Sequence, residues 1–229
     1  MSDHLNNSSI NSDFNLDISD EEDIIINKPS LKISTNKYHS ETWKNQIWHL
    51  YHLYVTKQHQ ECMEIIDEIL VATNNHSKYP LYLKALILRQ NGEIEESLEI
   101  LRMVERLDPT NIVNIKQIGR SLFLLGKHRA AIEIYDDALK LAGKDWEIYH
   151  NRGICYMYLK DYRKAIESFY KALEINNNDS TYTHLGKLLV ICGEYEEAIA
   201  LYEQAITNSH SNRFSNSNKT FFLLDIEES

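Results

Sequence analysis

Three small residues at fixed offsets, repeated down the chain, limit what it can fold into. Gly119, Ala131 and Ala138 are followed 34 residues later by Gly153, Ala165 and Ala172, then 33 residues later by Gly186, Ala198 and Ala205. A period of this length belongs to helix–turn–helix units that stack on their neighbours. With Trp146 counted as position 1, Gly falls at 8, Ala at 20, Phe at 24 and Ala at 27. Small residues at 8 and 20 let the two helices of one unit touch, and the small residue at 27 admits the first helix of the next.

In the unit starting at Trp146, the first helix is expected to bury Tyr149, Gly153, Tyr156 and Leu159, and the second Ala165, Phe169, Ala172 and Leu173. The unit before it places Ile118, Gly119, Leu122, Ala131, Tyr135 and Ala138 in the same code. The unit after it uses Leu185, Gly186, Leu189, Tyr195, Ala198, Tyr202 and Ala205. Upstream the code loosens: Ala85 holds position 8, but Ser97 and Val104 stand at 20 and 27, before a Leu107–Asn111 turn in which Pro109 stops the helix. Earlier still, Leu50 and Cys62 occupy the small-residue slots of a degenerate pair. Asn111, Asp145 and Asp179 stand where N-caps are needed.

The expected organisation is a disordered acidic and polar tail over 1–38, a degenerate helical pair over 42–77, and repeats over 78–111, 112–145, 146–178 and 179–208. An irregular tail over 209–229 follows, and the register is lost after Ala205. The last helix is therefore expected to leave outer apolar side chains bare, unless a partner, the Phe221–Leu224 segment or further repeats cover them.

Composition closes off several function classes. The 24 basic against 34 acidic residues give a net charge of −10, which does not suit a nucleic-acid partner. No apolar run approaches the roughly 20 residues that span a bilayer, so direct membrane insertion is not expected. The start Met-Ser-Asp-His-Leu has neither a basic nor an apolar leader region, and cytoplasmic residence is expected. Cys62, Cys155 and Cys192 are too far apart for a metal motif, and Cys155 and Cys192 read as buried inert thiols. No catalytic, cofactor or metal site is expected: there is no Gly-rich phosphate loop, GxSxG or HExxH, and His49 and His52 lack further ligands at useful spacing. Ser19, at the head of the run Ser19–Asp23, reads either as an acidophilic kinase site or as part of a solvated acidic patch.

The recurring slots resemble the tetratricopeptide repeat, which implies an all-α fold, a right-handed superhelical solenoid (α–α superhelix). Residues between the slots, which such a repeat does not demand, carry a narrower resemblance. Arg120-Ser-Leu-Phe-Leu-Leu-Gly-Lys-His128, Ala130–Glu133, Lys144–Glu147 and His150-Asn151 resemble the Bardet–Biedl syndrome 4 family of BBSome subunits. The match is densest over 112–205 and reaches weakly back to Trp48 through Gly92–Glu99. That resemblance implies a non-enzymatic scaffold in a ciliary coat-like complex that moves membrane proteins and supports cilium assembly. It implies residence at the cilium or basal body, and at the centrosome or centriolar satellites. The partners it implies are other BBSome-type subunits and centriolar-satellite proteins. Family members carry about a dozen repeats; four or five here lead to the expectation of a truncated isoform or an incomplete gene model.

In tetratricopeptide proteins, positions 2, 5, 9 and 12 of each first helix line a groove. Here these are Tyr79, Tyr82, Leu86 and Arg89, then Val113, Lys116, Arg120 and Phe123, then Glu147, His150, Ile154 and Met157, then Ser180, Thr183, Lys187 and Val190. Tyr82, Arg89, Lys116, Arg120, Phe123, His150, Met157 and Lys187 are the candidate partner-binding residues, suited to an acidic, aromatic-containing segment. They read equally as solvated groove residues or as residues covered by neighbouring subunits. The alternative function is a free-standing adaptor for peptide segments of a chaperone or ubiquitin-ligase complex. Of the five positions of the co-chaperone carboxylate clamp, Lys116 and Asn151 match and Arg120, Ser180 and His184 do not, so chaperone-tail binding is not expected.

Overall fold

A computed structural model describes residues 37–210. Ser19, most of the acidic tail, and the 211–229 tail with its Phe221–Leu224 segment lie outside the described residues. Among those described, the structure is all-α: α1 Lys37–Val55, α2 His59–Ala72, α3 Lys78–Gln90, α4 Ile94–Leu107, α5 Ile112–Leu124, α6 His128–Ala142, α7 Trp146–Tyr158, α8 Tyr162–Ile175, α9 Asp179–Cys192 and α10 Tyr195–His210. They fall into two compact units, 37–134 and 135–210, divided within α6.

Each odd-numbered helix turns back into its even-numbered partner through the same device. The backbone N–H of Gln58, Glu93, Lys127, Asp161 or Glu194 donates to the carbonyl five residues earlier, at 2.9–3.0 Å. That closure, the 6→1 bond of a Schellman-type stop, needs a left-handed residue just before it. Gly92, Gly126 and Gly193 supply it with φ of 92°, 71° and 82°, and Lys57 and Lys160 adopt φ of 59° and 60° in the same place.

In the 37–134 unit, the Cys62 thiol donates to the Leu50 carbonyl at 3.6 Å, so the degenerate pair closes where its small-residue slots were expected. Gln90 reaches from α3 to the Tyr54 hydroxyl of α1 at 3.0 Å, and Lys84 of α3 pairs with Asp67 of α2 at 2.7 Å. Asn111 caps α5 by accepting from the Asn114 N–H, and the buried Asn114 side chain donates to the Leu101 carbonyl of α4.

In the 135–210 unit, Asp145 caps α7, accepting from the N–H groups of Glu147 and Ile148. The cap of α9 is Asn178, not Asp179: its side chain accepts from Ser180 and Thr181. The displacement follows from the one-residue shortening of the period at this repeat. Gly153 and Gly186 are buried against the aromatic residue at position 24 of their own repeats. A Cβ on Gly153 would lie 2.7 Å from Cε1 of Phe169, and one on Gly186 would meet the Tyr202 ring more closely still. The close approach is thus of a flat ring onto bare backbone. Every small residue of the recurring trios is buried.

Four burial expectations are corrected. On α7 the buried stripe is Ile148, Ile154 and Cys155, whereas Tyr149 and Tyr156 are half-buried and Leu159 is 37% exposed. The helix is turned so that the tyrosines sit at the rim, where the Arg152 guanidinium lies 5.2 Å from the Tyr149 ring and the Lys164 ammonium 5.5 Å from the Tyr156 ring. Leu173 of α8 is only half-buried. Cys192 is exposed, because it stands six residues beyond Gly186, the same offset that leaves Leu159 exposed beyond Gly153. Ile191 on α9 and Ile199 on α10 are exposed, and so is Tyr195, which the repeat code had grouped with the buried Ala198, Tyr202 and Ala205.

These contacts set three outcomes. Gly153→Ala should lower the thermal midpoint: overpacking of about 1–3 kcal/mol outweighs the roughly 1 kcal/mol of helix propensity gained. Adding Phe169→Leu should return part of that loss, and no recovery would show that the ring is not the obstacle. Lys160→Gly should raise stability by up to about 1 kcal/mol in urea unfolding, since a left-handed residue with a Cβ is disfavoured. Burial pushes the Cys155 thiol up to about 12 and the Cys62 thiol up to about 11. In the native protein at pH 8 a disulfide reagent should therefore titrate Cys192 rapidly and the other two only on unfolding.

Candidate interaction surface

The sequence places cations at positions 5, 9 and 12 of successive first helices, and an α-helix brings residues four and seven apart onto one face. In the 37–134 unit this aligns Tyr82 with Arg89 on α3, and Lys116 with Arg120 and Phe123 on α5. The two helices are joined on that side. The Arg89 guanidinium donates to the Gln117 side chain at 2.7 Å and to its carbonyl at 3.4 Å, with the Ser121 hydroxyl at 3.5 Å. The cationic side chains are deeply set, with Lys116 6% and Arg89 and Arg120 each 9% exposed. Tyr82 and Phe123 are buried beside them, and His128 lies against Phe123 with ring centroids 5.0 Å apart. Partial burial holds the His128 imidazolium below its usual pKa.

The candidates of the 135–210 unit do not form a comparable face. His150 is turned into the packing of α7, α8 and α9: its Nδ1 is 2.8 Å from the Thr181 hydroxyl, and its ring lies 5.6 Å from Phe169 and 5.3 Å from His184. His184 donates from Nδ1 to the Ser180 carbonyl at 2.7 Å, which fixes its tautomer. Met157 is half-buried and Lys187 is exposed. The neighbouring layer is held by Tyr170, whose hydroxyl donates to the Glu197 carboxylate at 2.6 Å; burial, then that carboxylate, push the phenol pKa up.

Sequence reasoning missed the polar residues that set these positions. Gln117, Ser121 and Thr181 hold candidate side chains in place, and Ser121 and Thr181 are fully buried. A polar residue on an amphipathic helix reads as solvent-facing, so no signal singled them out. Among the described residues no three His, Cys, Asp or Glu side chains converge as metal ligands, and no helix is long and apolar enough to cross a membrane. The arrangement gathers three cations and two aromatic rings, all at 9% exposure or less, so the residues expected to line an open groove are buried instead.

Comparison with known proteins places this arrangement. Tetratricopeptide-repeat models match residues 80–111, 117–145, 146–179 and 180–209. The chain is 45% identical over 169 residues to the BBSome complex member BBS4 of Bos taurus, covering 74% of this chain and 32% of that protein. It is 44% identical, over the same shares, to the BBSome complex member BBS4 of Xenopus tropicalis. The chain thus spans about a third of the length of these curated relatives. A thermophilic tetratricopeptide protein of Thermus thermophilus superposes with a TM-score of 0.63 at 19% identity, over 79% of this chain and 98% of that one, which supports the fold alone. With its repeats matched one after another and its helices paired in the same way, the chain belongs to the tetratricopeptide-repeat family and is an all-α solenoid of that type.

Proposed function

We propose that this chain is a non-enzymatic protein–protein interaction scaffold of the BBSome type. It acts in ciliary membrane-protein trafficking and cilium assembly, in the cytoplasm at the cilium or basal body and at the centrosome or centriolar satellites. The observation that carries this reading is the 45% identity to the BBS4 relative over 169 residues, a level well above the 19% at which a fold-only neighbour superposes. Repeat packing alone asks for a few small and aromatic slots. The surplus lies in residues that the repeat leaves free to specify partners.

On this reading the partners are other BBSome-type subunits and centriolar-satellite proteins, and the cation-bearing face of α3 and α5 takes an acidic segment of one of them. Charge is the physical basis: opposite potentials speed and orient docking, and the aromatic residues supply contact area.

Affinity purification of the tagged chain from ciliated cells, followed by mass spectrometry, is expected to recover β-propeller and other BBSome-type subunits. Recovery of chaperones or ubiquitin-ligase components without them would favour a free-standing adaptor instead. Arg120→Glu should reduce recovery of at least one subunit by tenfold or more while the helical content by circular dichroism is kept. Unchanged recovery of every partner would remove the face from the interface.

A further inference from the structure

We propose that the chain's own segment Asp20–Ile26 docks on the exposed face of α1 that carries Trp48 and Val55. There it takes the place that a preceding hairpin holds on the later first helices.

Positions 3, 6 and 10 of a first helix share one face, and contacts inside each unit show what that face meets. On α5, Asn114 at position 3 donates to the Leu101 carbonyl of α4, and Gln117 and Ser121 at 6 and 10 receive Arg89 of α3. On α9, Thr181 at position 3 meets His150 of α7, and His184 at 6 stacks on Phe169 of α8. On α3, Leu83 and Ile87 at 6 and 10 are buried, and Gln90 at 13 reaches Tyr54 of α1. Each of these rows therefore faces the hairpin before it. With Leu50 at position 8, the same row of α1 reads Trp48 at 6, His52 at 10 and Val55 at 13. Trp48 packs edge-on against Tyr51 of its own helix and is still 57% exposed; Val55 is 44% exposed, and His52 lies open between them. The outer end of a solenoid stays soluble by being polar, and an indole in line with a valine is the opposite.

The residues ahead of α1 supply the occupant, in the same chain order in which each hairpin precedes the next first helix. Ile24, Ile25 and Ile26 are the longest apolar run in residues 1–36, and Asp20, Glu21, Glu22 and Asp23 stand directly before them. Their charge suits α1, which is basic within a chain of net charge −10: it carries two lysines and three histidines against one carboxylate, Glu41. Isoleucines laid over Trp48 and Val55 place the acidic block within reach of His49 and His52, both exposed, whose ring N–H groups can donate to it.

The tether allows this return. Ten residues separate Ile26 from Lys37, a linker that extends to about 33 Å, whereas Trp48 and Val55 lie about 17 and 27 Å along α1 from its start. Such a linker holds the segment at a local concentration in the millimolar range, which favours it over a second copy of the chain for the same face.

The test uses the full chain in dilute solution with the photoreactive p-benzoylphenylalanine in place of Ile25, a position outside the packed repeats. Irradiation is expected to give cross-links within one chain to the Trp48–Val55 stretch, mapped by mass spectrometry of the monomer band. Trp48→Ala should lower that yield about tenfold through the lost indole contact. Alanine at an exposed helix position keeps the fold, which circular dichroism checks, and Val55→Ala repeats the measurement at the other end of the row. Cross-links to other helices alone, no cross-link at all, or a yield that both substitutions leave unchanged would each overturn the proposal. Dimers joined through α1 would make a second copy the occupant and overturn it as well.

Discussion

A ring lying on bare backbone sets the geometry of the hairpins in which it is seen. Phe169 covers Gly153 and Tyr202 covers Gly186, each so closely that a single added carbon would collide. The contact fixes the separation of the two helices and their rotation at once, because a flat ring and a glycine leave only one good fit. Much else follows from that fit. With the ring seated, Ala165 and Ala172 on the same helix face are driven to complete burial, and Ser168 beside them must satisfy its hydroxyl within its own helix, on the Lys164 carbonyl at 2.8 Å. The turn that joins the helices then has few options, and a left-handed residue with a five-residue hydrogen-bonded return meets them.

The slots that make this contact were legible because they recur, and recurrence separates a packing requirement from chance. Recurrence also carried more than was drawn from it. Residues 92, 126, 160 and 193 repeat at nearly the same period as the glycines, but with Gly at three of them and Lys at the fourth, composition hid a shared backbone conformation. The rotation of α7 was not legible for a related reason. Tyr149 and Tyr156 are as apolar in body as Ile148 and Cys155 and lie one residue away, so the pattern fits either stripe. The choice falls to the ends of the side chains: a tyrosine hydroxyl must keep a polar neighbour or water, whereas isoleucine can be sealed at no such cost.

The candidate face was legible in its residue types and not in its depth. Positions 5, 9 and 12 brought Lys116, Arg120 and Phe123 onto one side of α5, but reading them as groove lining implied open contact with solvent. In the structure all three are buried, and Arg89 is held by Gln117 and Ser121 across the gap between α3 and α5. A planar guanidinium fork suits that junction, because it can meet the Gln117 side chain and carbonyl at once. His150 has the opposite fate. Its ring is taken up by Thr181, Phe169 and His184, and it serves the stacking of α7, α8 and α9.

This division of labour bears on how a repeat protein acquires a specific role. The glycine–aromatic contacts leave no room for an added carbon, and they are a demand of packing, so they say nothing about partners. Specificity has to reside where packing is indifferent. In the 37–134 unit the cations of α3 and α5 are part of the packing itself, since they are buried and Arg89 ties α3 to Gln117 and Ser121 of α5. What distinguishes one such chain from another is then carried by residues that can change without disturbing the glycine–ring fit, and the polar set of Arg89, Gln117 and Ser121 couples two helices at positions the repeat code leaves open.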